Sequence, residues 1–137
     1  MKIYVASSWR NEFYLATTTY LRERGHEILD WRQDGFSWRE VSDKMKHDWD
    51  GPYYRDFVLQ QPRAIEGFKN DFDKMHQADC CVLLLPSGRS AHLEAGWFLG
   101  RGKRVCIYIP VFDEPELMYK AANGIFFDIT ELAEALQ

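Results

Sequence analysis

Short apolar runs alternate along the chain with amphipathic stretches. Lys2-Ile-Tyr-Val-Ala6 reads as a buried strand. Asn11 to Arg24 follows, with Phe13, Leu15, Ala16, Tyr20 and Leu21 on a helical stripe, and Gly25 supplies its stop. His26 to Trp31 is the second strand. Pro62 suits the first position of a helix, which predicts a helix over 63–77. The apolar run Cys80 to Leu85 contains a third strand at Val82–Leu85. A helix over Ser90–Leu99 comes next and exits through Gly100 to Lys103. Arg104–Ile109 reads as the fourth strand, Glu114–Ala122 as a helix and Ile125–Phe127 as a short fifth strand. Thr130–Leu136 is a closing helix with Thr130 as its cap.

Strands alternating with helices predict an α/β protein with a parallel sheet covered on both faces. The order expected is the flavodoxin-like, doubly wound 2-1-3-4-5. A chain of 137 residues suits one domain, 1–137. Within it, residues 32–60 are expected to form a long loop or lid, with one helical turn near Trp38–Val41. Trp31, Trp38, Trp49, Tyr53 and Tyr54 cluster in and beside this polar stretch. They suit either a lid over a flat base or the packing of a long loop.

Charge and cysteine content narrow the function classes. A net charge of −4 with dispersed basic residues argues against binding a nucleic-acid polymer. No apolar run approaches the ~20 residues of a membrane span, and the chain enters its first strand without a leader-like segment. The 3 cysteines lie within strands, which suggests a reduced, cytoplasmic protein. No second Cys/His pair has ligand spacing, so no metal is expected; no organic cofactor is expected either. Gly96-x-x-x-Gly100-x-Gly102 lies inside and after a helix, which excludes a dinucleotide fingerprint.

In this topology ligands bind outside the carboxyl ends of the strands at the switch point, here beside strands one and three. Two polar loops would meet there: Ser7-Ser8-Trp9-Arg10, and Ser87 to His92. Trp9 is a candidate to stack on a base. Ser87-Gly88-Arg89-Ser90 at a helix N-terminus makes a candidate anion cradle. Tyr4, Asp71, His92 and Glu94 are expected to converge on the same place. Two carboxylates are what glycosyl transfer requires, with one attacking the sugar and one protonating the leaving group, ~5–5.5 Å apart in retaining enzymes. Glu94 is the candidate nucleophile, Asp71 the candidate proton holder, and Tyr4 the hydroxyl that orients Glu94.

Three segments, Ile3-Tyr-Val-Ala-Ser-Ser-Trp9, Asn70-Asp71 leading to Gln77-Ala-Asp79, and His92-Leu-Glu-Ala-Gly-Trp97, resemble the nucleoside 2-deoxyribosyltransferase superfamily. That group also holds nucleoside 5′-monophosphate N-glycosidases. The resemblance runs from residue 3 to about 122 and fades across 32–60. It implies Glu94 as nucleophile on the sugar C1′, Asp71 as the residue handling the base, and Tyr4 as the group positioning Glu94. His92 and Trp97 look most like the pyrimidine-nucleotide hydrolase branch. Gly88 stands where transferases commonly carry an Asp. The resemblance also implies a homodimer or higher homo-oligomer, in which the stretch Glu116-Leu117-Met118 reaches a neighbouring site. Glu116 there would repel a 5′-phosphate, whereas Ser87–Ser90 would attract one.

The expected activity is cleavage or transfer at the N-glycosidic bond of a small-molecule nucleoside or nucleotide through a glycosyl-Glu94 intermediate. Two other readings stay open. One is a NAD-cleaving glycohydrolase of Toll/interleukin-receptor type, and the other is a non-catalytic nucleotide-binding module.

Overall fold

Five strands, all parallel, form one sheet in the order β2-β1-β3-β4-β5: β1 Lys2–Ala6, β2 Glu27–Ile28, β3 Cys80–Leu84, β4 Arg104–Tyr108 and β5 Gly124–Phe126. The computed structural model describes all residues, 1–137, and they divide into two compact units. The first comprises Met1–Asp30 with Gln77–Gln137, and the second Trp31–His76. The flavodoxin-like order expected from the sequence is the order observed.

The continuous apolar run Cys80–Leu84 is buried at every residue, as a parallel strand covered on both faces must be. Each fully buried Val or Leu of this kind stabilises the fold by about 1.5–3 kcal/mol, so β3 and β1 anchor the sheet. Helix α1, Tyr14–Glu23, lies against β2 and ends before Gly25, whose φ of +90° suits a residue without a side chain. Helix α2 is Pro62–Gln77, and α3, Arg89–Gly100, packs on β1, β3 and β4. Helix α4, Ile129–Ala135, closes on β4 and β5.

β3 starts two residues earlier than expected, at Cys80, and β2, the segment after β4 and the cap of α4 also differ from expectation. β2 keeps two residues because Leu29 makes a last bond to the Ile3 carbonyl, after which Asp30 is drawn to the Tyr14 hydroxyl at 2.8 Å. The helix expected over Glu114–Ala122 shrinks to a 3-10 turn, Leu117–Ala121. Pro115 biases Glu114 away from helical backbone, and Glu116 is the cap, accepting from the Met118 N–H. The cap of α4 is Asp128, not Thr130: the Asp128 carboxylate accepts from both the backbone N–H and the hydroxyl of Thr130.

The second unit explains the aromatic surplus. Its residues form short helical turns at Trp31–Asp34, Trp38–Glu40, Lys46–Asp48, Tyr53–Phe57 and Val58–Gln60, where the sequence pattern suggests a loop with one turn. Ser37 and Glu40 make a reciprocal capping box for the Trp38 turn. Phe36, Trp38, Trp49 and Tyr53 pack around Val41, Val58 and Ala64. Trp38 and Trp49 meet edge to face, their centroids 5.8 Å apart. These rings supply a small core that a 46-residue stretch (Trp31–His76) of mostly polar sequence would otherwise lack.

Candidate active site

Tyr4 sits in the middle of β1 and is fully buried. Its ring stacks on Phe98 of α3, centroids 5.9 Å apart, and its hydroxyl donates to Glu94 Oε2 at 2.5 Å. Glu94 and Phe98 are four residues apart and so share one face of α3. That face holds Tyr4 at both the ring and the oxygen. Opposite Tyr4 in the β1–β3 register lies Cys81. Burial first, then the charges of Cys80 and Glu94, push the Cys81 thiol well above its ordinary range. Cys81 therefore stays a neutral thiol beside the half-buried Glu94.

The loops that follow β1 and β3 are tied together. Ser7 Oγ donates to the Leu84 carbonyl at 3.0 Å. Asn11 Nδ2 reaches Ser7 Oγ at 2.9 Å, the Leu84 carbonyl at 3.3 Å and the Pro86 carbonyl at 3.0 Å. Its Oδ1 accepts from the Phe13 N–H. Ser7 and Asn11 are both buried. Ser7 is thus committed to the joint between the loops, while Trp9 and Arg10 stand exposed beyond it. Asn11 is absent from the sequence-based candidates. Its signal was the Ser7/Asn11 pair at i, i+4 directly after a strand, where a buried amide can satisfy exposed strand-end carbonyls.

At the start of α3, Gly88 is the N-cap and offers no side-chain cap, so backbone N–H groups of the first turn lack a capping acceptor. Ser87 Oγ, just before it, is buried without a hydrogen-bond partner. Arg89 and Ser90 are exposed. His92 is engaged on both sides of its ring, Nδ1 with the Gly88 carbonyl at 2.8 Å and Nε2 with the Tyr119 hydroxyl at 2.7 Å. Trp97 lies beneath the Arg101 guanidinium and the Lys103 ammonium, 5.2 and 5.6 Å from its ring centre. Glu116 turns back on its own 3-10 turn, leaving Leu117 79% and Met118 71% exposed.

Asp71 belongs to the other unit, on α2. Burial above all, reinforced by the Asp34 charge and opposed by Lys74 and Arg63, raises its carboxyl to about 6. Lys74, one turn along the helix, gives its ammonium to Asp34 at 2.6 Å. Tyr4 and Glu94 are thus brought into contact, and the Ser7, Ser87–Ser90 and Glu116–Met118 segments all follow carboxyl ends of sheet strands. No group of three or more His, Cys, Asp and Glu is placed to hold a metal ion, and no helix is long and apolar enough to cross a membrane.

Fold and site together define a doubly wound parallel α/β protein with a half-buried glutamate at its switch point, held by a tyrosine from the central strand. No protein-family model matches the sequence, and no curated protein matches it by sequence. Solved structures do match. A 2-deoxyribosyltransferase from the psychrotolerant bacterium Bacillus psychrosaccharolyticus superposes with a TM-score of 0.58 at 23% identity, over 97% of this chain and 90% of that one. The CMP N-glycosidase of Clostridium botulinum gives 0.55 at 16% identity, over 99% and 98%. A conserved protein of Enterococcus faecalis V583 gives 0.55 at 15%, over 98% and 95%. The chain therefore shares its fold with a 2-deoxyribosyltransferase and a CMP N-glycosidase.

Proposed function

We propose that this protein is an enzyme of the N-glycosidic bond, acting on a nucleoside or a nucleoside 5′-monophosphate with Glu94 as nucleophile. The observation that carries the reading is the Tyr4–Glu94 hydrogen bond of 2.5 Å, which fixes the only side-chain carboxylate of α3 at the switch point. Two enzymes of this bond share the fold, a 2-deoxyribosyltransferase and a CMP N-glycosidase, which supports the same class of chemistry here.

A Glu94 oxygen forms a bond to C1′ of the sugar while the C1′–N bond breaks, and the electron pair leaves with the base. Asp71, whose carboxyl titrates near 6, supplies the proton that the departing base takes up. Water, or a second base, then attacks C1′ and releases Glu94, its proton returning to Asp71. Tyr4 donates a hydrogen bond to Glu94 Oε2 and so holds the carboxylate in orientation for attack.

A 5′-phosphate finds acceptable surroundings at Ser87 Oγ and the uncapped first turn of α3. Glu116, the sequence feature that argued against it, accepts from the Met118 backbone N–H. The exposed Leu117 and Met118 suit contact with a second copy of the chain, in line with a homo-oligomer. Three free, buried cysteines suit a reducing, cytoplasmic setting.

A chromatographic screen of nucleosides, deoxynucleosides and their monophosphates, with and without an acceptor base, tests the reading. Release of free base by the wild type and its absence in a folded Glu94→Ala variant are expected. Undiminished release by that variant would overturn it.

A further inference from the structure

Both ring nitrogens of His92 are engaged within the protein. The Gly88 carbonyl can only accept, so His92 Nδ1 carries the proton and donates to it at 2.8 Å. In that tautomer Nε2 is an acceptor, and the Tyr119 hydroxyl donates to it at 2.7 Å. The two rings lie nearly parallel, 19° apart, with centroids separated by 5.7 Å. Burial and the neighbouring Glu116 raise the Tyr119 phenol, which keeps it a donor.

This arrangement replaces something the helix lacks. Helices usually open on a Ser, Thr, Asp or Asn whose side chain fixes the first turn. α3 opens on Gly88, with extended backbone and no side chain to do so. The peptide that orients the first-turn N–H groups would be loosely held on that count. His92, one turn along, leans back toward the N-terminus as helical side chains do, and takes hold of the Gly88 carbonyl from the side. Tyr119 in turn fixes the ring and ties it to the 3-10 turn Leu117–Ala121, where Glu116 is the cap.

We propose that His92 and Tyr119 are positioning residues, a hydrogen-bonded strut that presets the Gly88 peptide and the 116–121 segment around an anion bound at the start of α3. The inference rests on the reading above, in which a 5′-phosphate occupies that turn. It makes His92 a residue that shapes substrate preference without touching the sugar or the base. The rings contribute the stack and the hydroxyl contributes the lock, so the two can be separated by substitution.

The test compares wild type, Tyr119→Phe and His92→Phe on a nucleoside 5′-monophosphate and on the matching nucleoside. Tyr119→Phe removes one oxygen and retains the ring. Each variant is expected to raise KM for the monophosphate about three- to tenfold, the range of one or two neutral hydrogen bonds. kcat, and both constants for the nucleoside, should change less than about twofold, well under that range. Equal losses on both substrates, or none on either, would overturn the strut. A second measurement stands apart from turnover: inorganic phosphate titrated against the amide resonances of Gly88, Arg89 and Ser90. Weaker phosphate binding in both variants supports the strut even if no nucleotide is cleaved, in which case only the enzymatic reading fails. Wild-type-like titration in both variants overturns the strut whatever the activity.

Discussion

Tyr4 and Glu94, separated by 90 residues of sequence, meet through a hydrogen bond of 2.5 Å. The phenol is buried and braced by Phe98, so the carboxylate oxygen it holds has little freedom to rotate. A hydrogen bond to a charged group contributes about 1.5–3 kcal/mol, and ~1.4 kcal/mol corresponds to a factor of ten. Tyr4→Phe keeps the ring stack and removes only the hydroxyl. We expect kcat for base release to fall roughly 10- to 100-fold, with the thermal midpoint little changed. A wild-type kcat would show that Glu94 needs no orienting partner.

Asn11 binds the two switch-point loops through three acceptors at once, and its amide is buried. Asn11→Ala would strip the Pro86 carbonyl of that donor and leave the Leu84 carbonyl to Ser7 Oγ. Leaving buried polar groups unpaired costs about 1–3 kcal/mol. The expected outcome is a lower denaturant midpoint with an unchanged slope, together with reduced turnover, because Ser7 and the loop before α3 lose a common anchor. An unchanged midpoint would mean that water replaces the amide at no cost.

The parts of this molecule that were legible beforehand are those ruled by local pattern. An unbroken apolar run such as Cys80–Leu84 has few fates other than a buried parallel strand, and Pro62 and Gly25 punctuate helices by backbone constraint alone. The boundaries that shifted depend on side chains competing for backbone groups. Asp128 sits two residues before Thr130 and accepts from the N–H and hydroxyl of Thr130, so the helix opens earlier than a Thr130 cap would allow, and Pro115 limits the helix after β4. The Tyr4–Glu94 pair followed from strand and helix placement plus resemblance, whereas Asn11 was hidden because an Asn after a strand usually reads as a turn. The aromatic middle was ambiguous for a different reason. Packing of Trp38 and Trp49 on Val41 and Val58 is a tertiary fact without periodicity.

Ser87 offers a case in which stability and function should move in opposite directions. Its hydroxyl is buried without a partner beside the first turn of α3. Burying an unpaired hydroxyl is unfavourable, by about 1–3 kcal/mol in mutational data. Ser87→Ala should therefore leave the thermal midpoint unchanged or raise it. The same change removes a donor to a 5′-phosphate, so KM for a nucleoside monophosphate should rise about tenfold, as for a charge-assisted bond. A clear drop in midpoint would instead assign the hydroxyl a structural partner.

Asp71 sets the expected pH dependence. Its carboxyl is raised from an ordinary 3.8 to about 6, chiefly by burial and then by Asp34. Between those values the folded state holds a proton that the unfolded chain has released, so stability falls as pH rises through this window. Asp71→Asn cannot ionise and avoids that loss. The variant should match the wild type near pH 3.5 and become the more stable of the two by pH 7, as read from midpoints across the range. In activity the sign is the same: if the protonated carboxyl serves the leaving base, kcat/KM declines above about pH 6. Asp71→Asn should lower the plateau and abolish that limb. A wild-type profile flat from pH 5 to 8 would remove Asp71 from the proton path while leaving Glu94 as nucleophile.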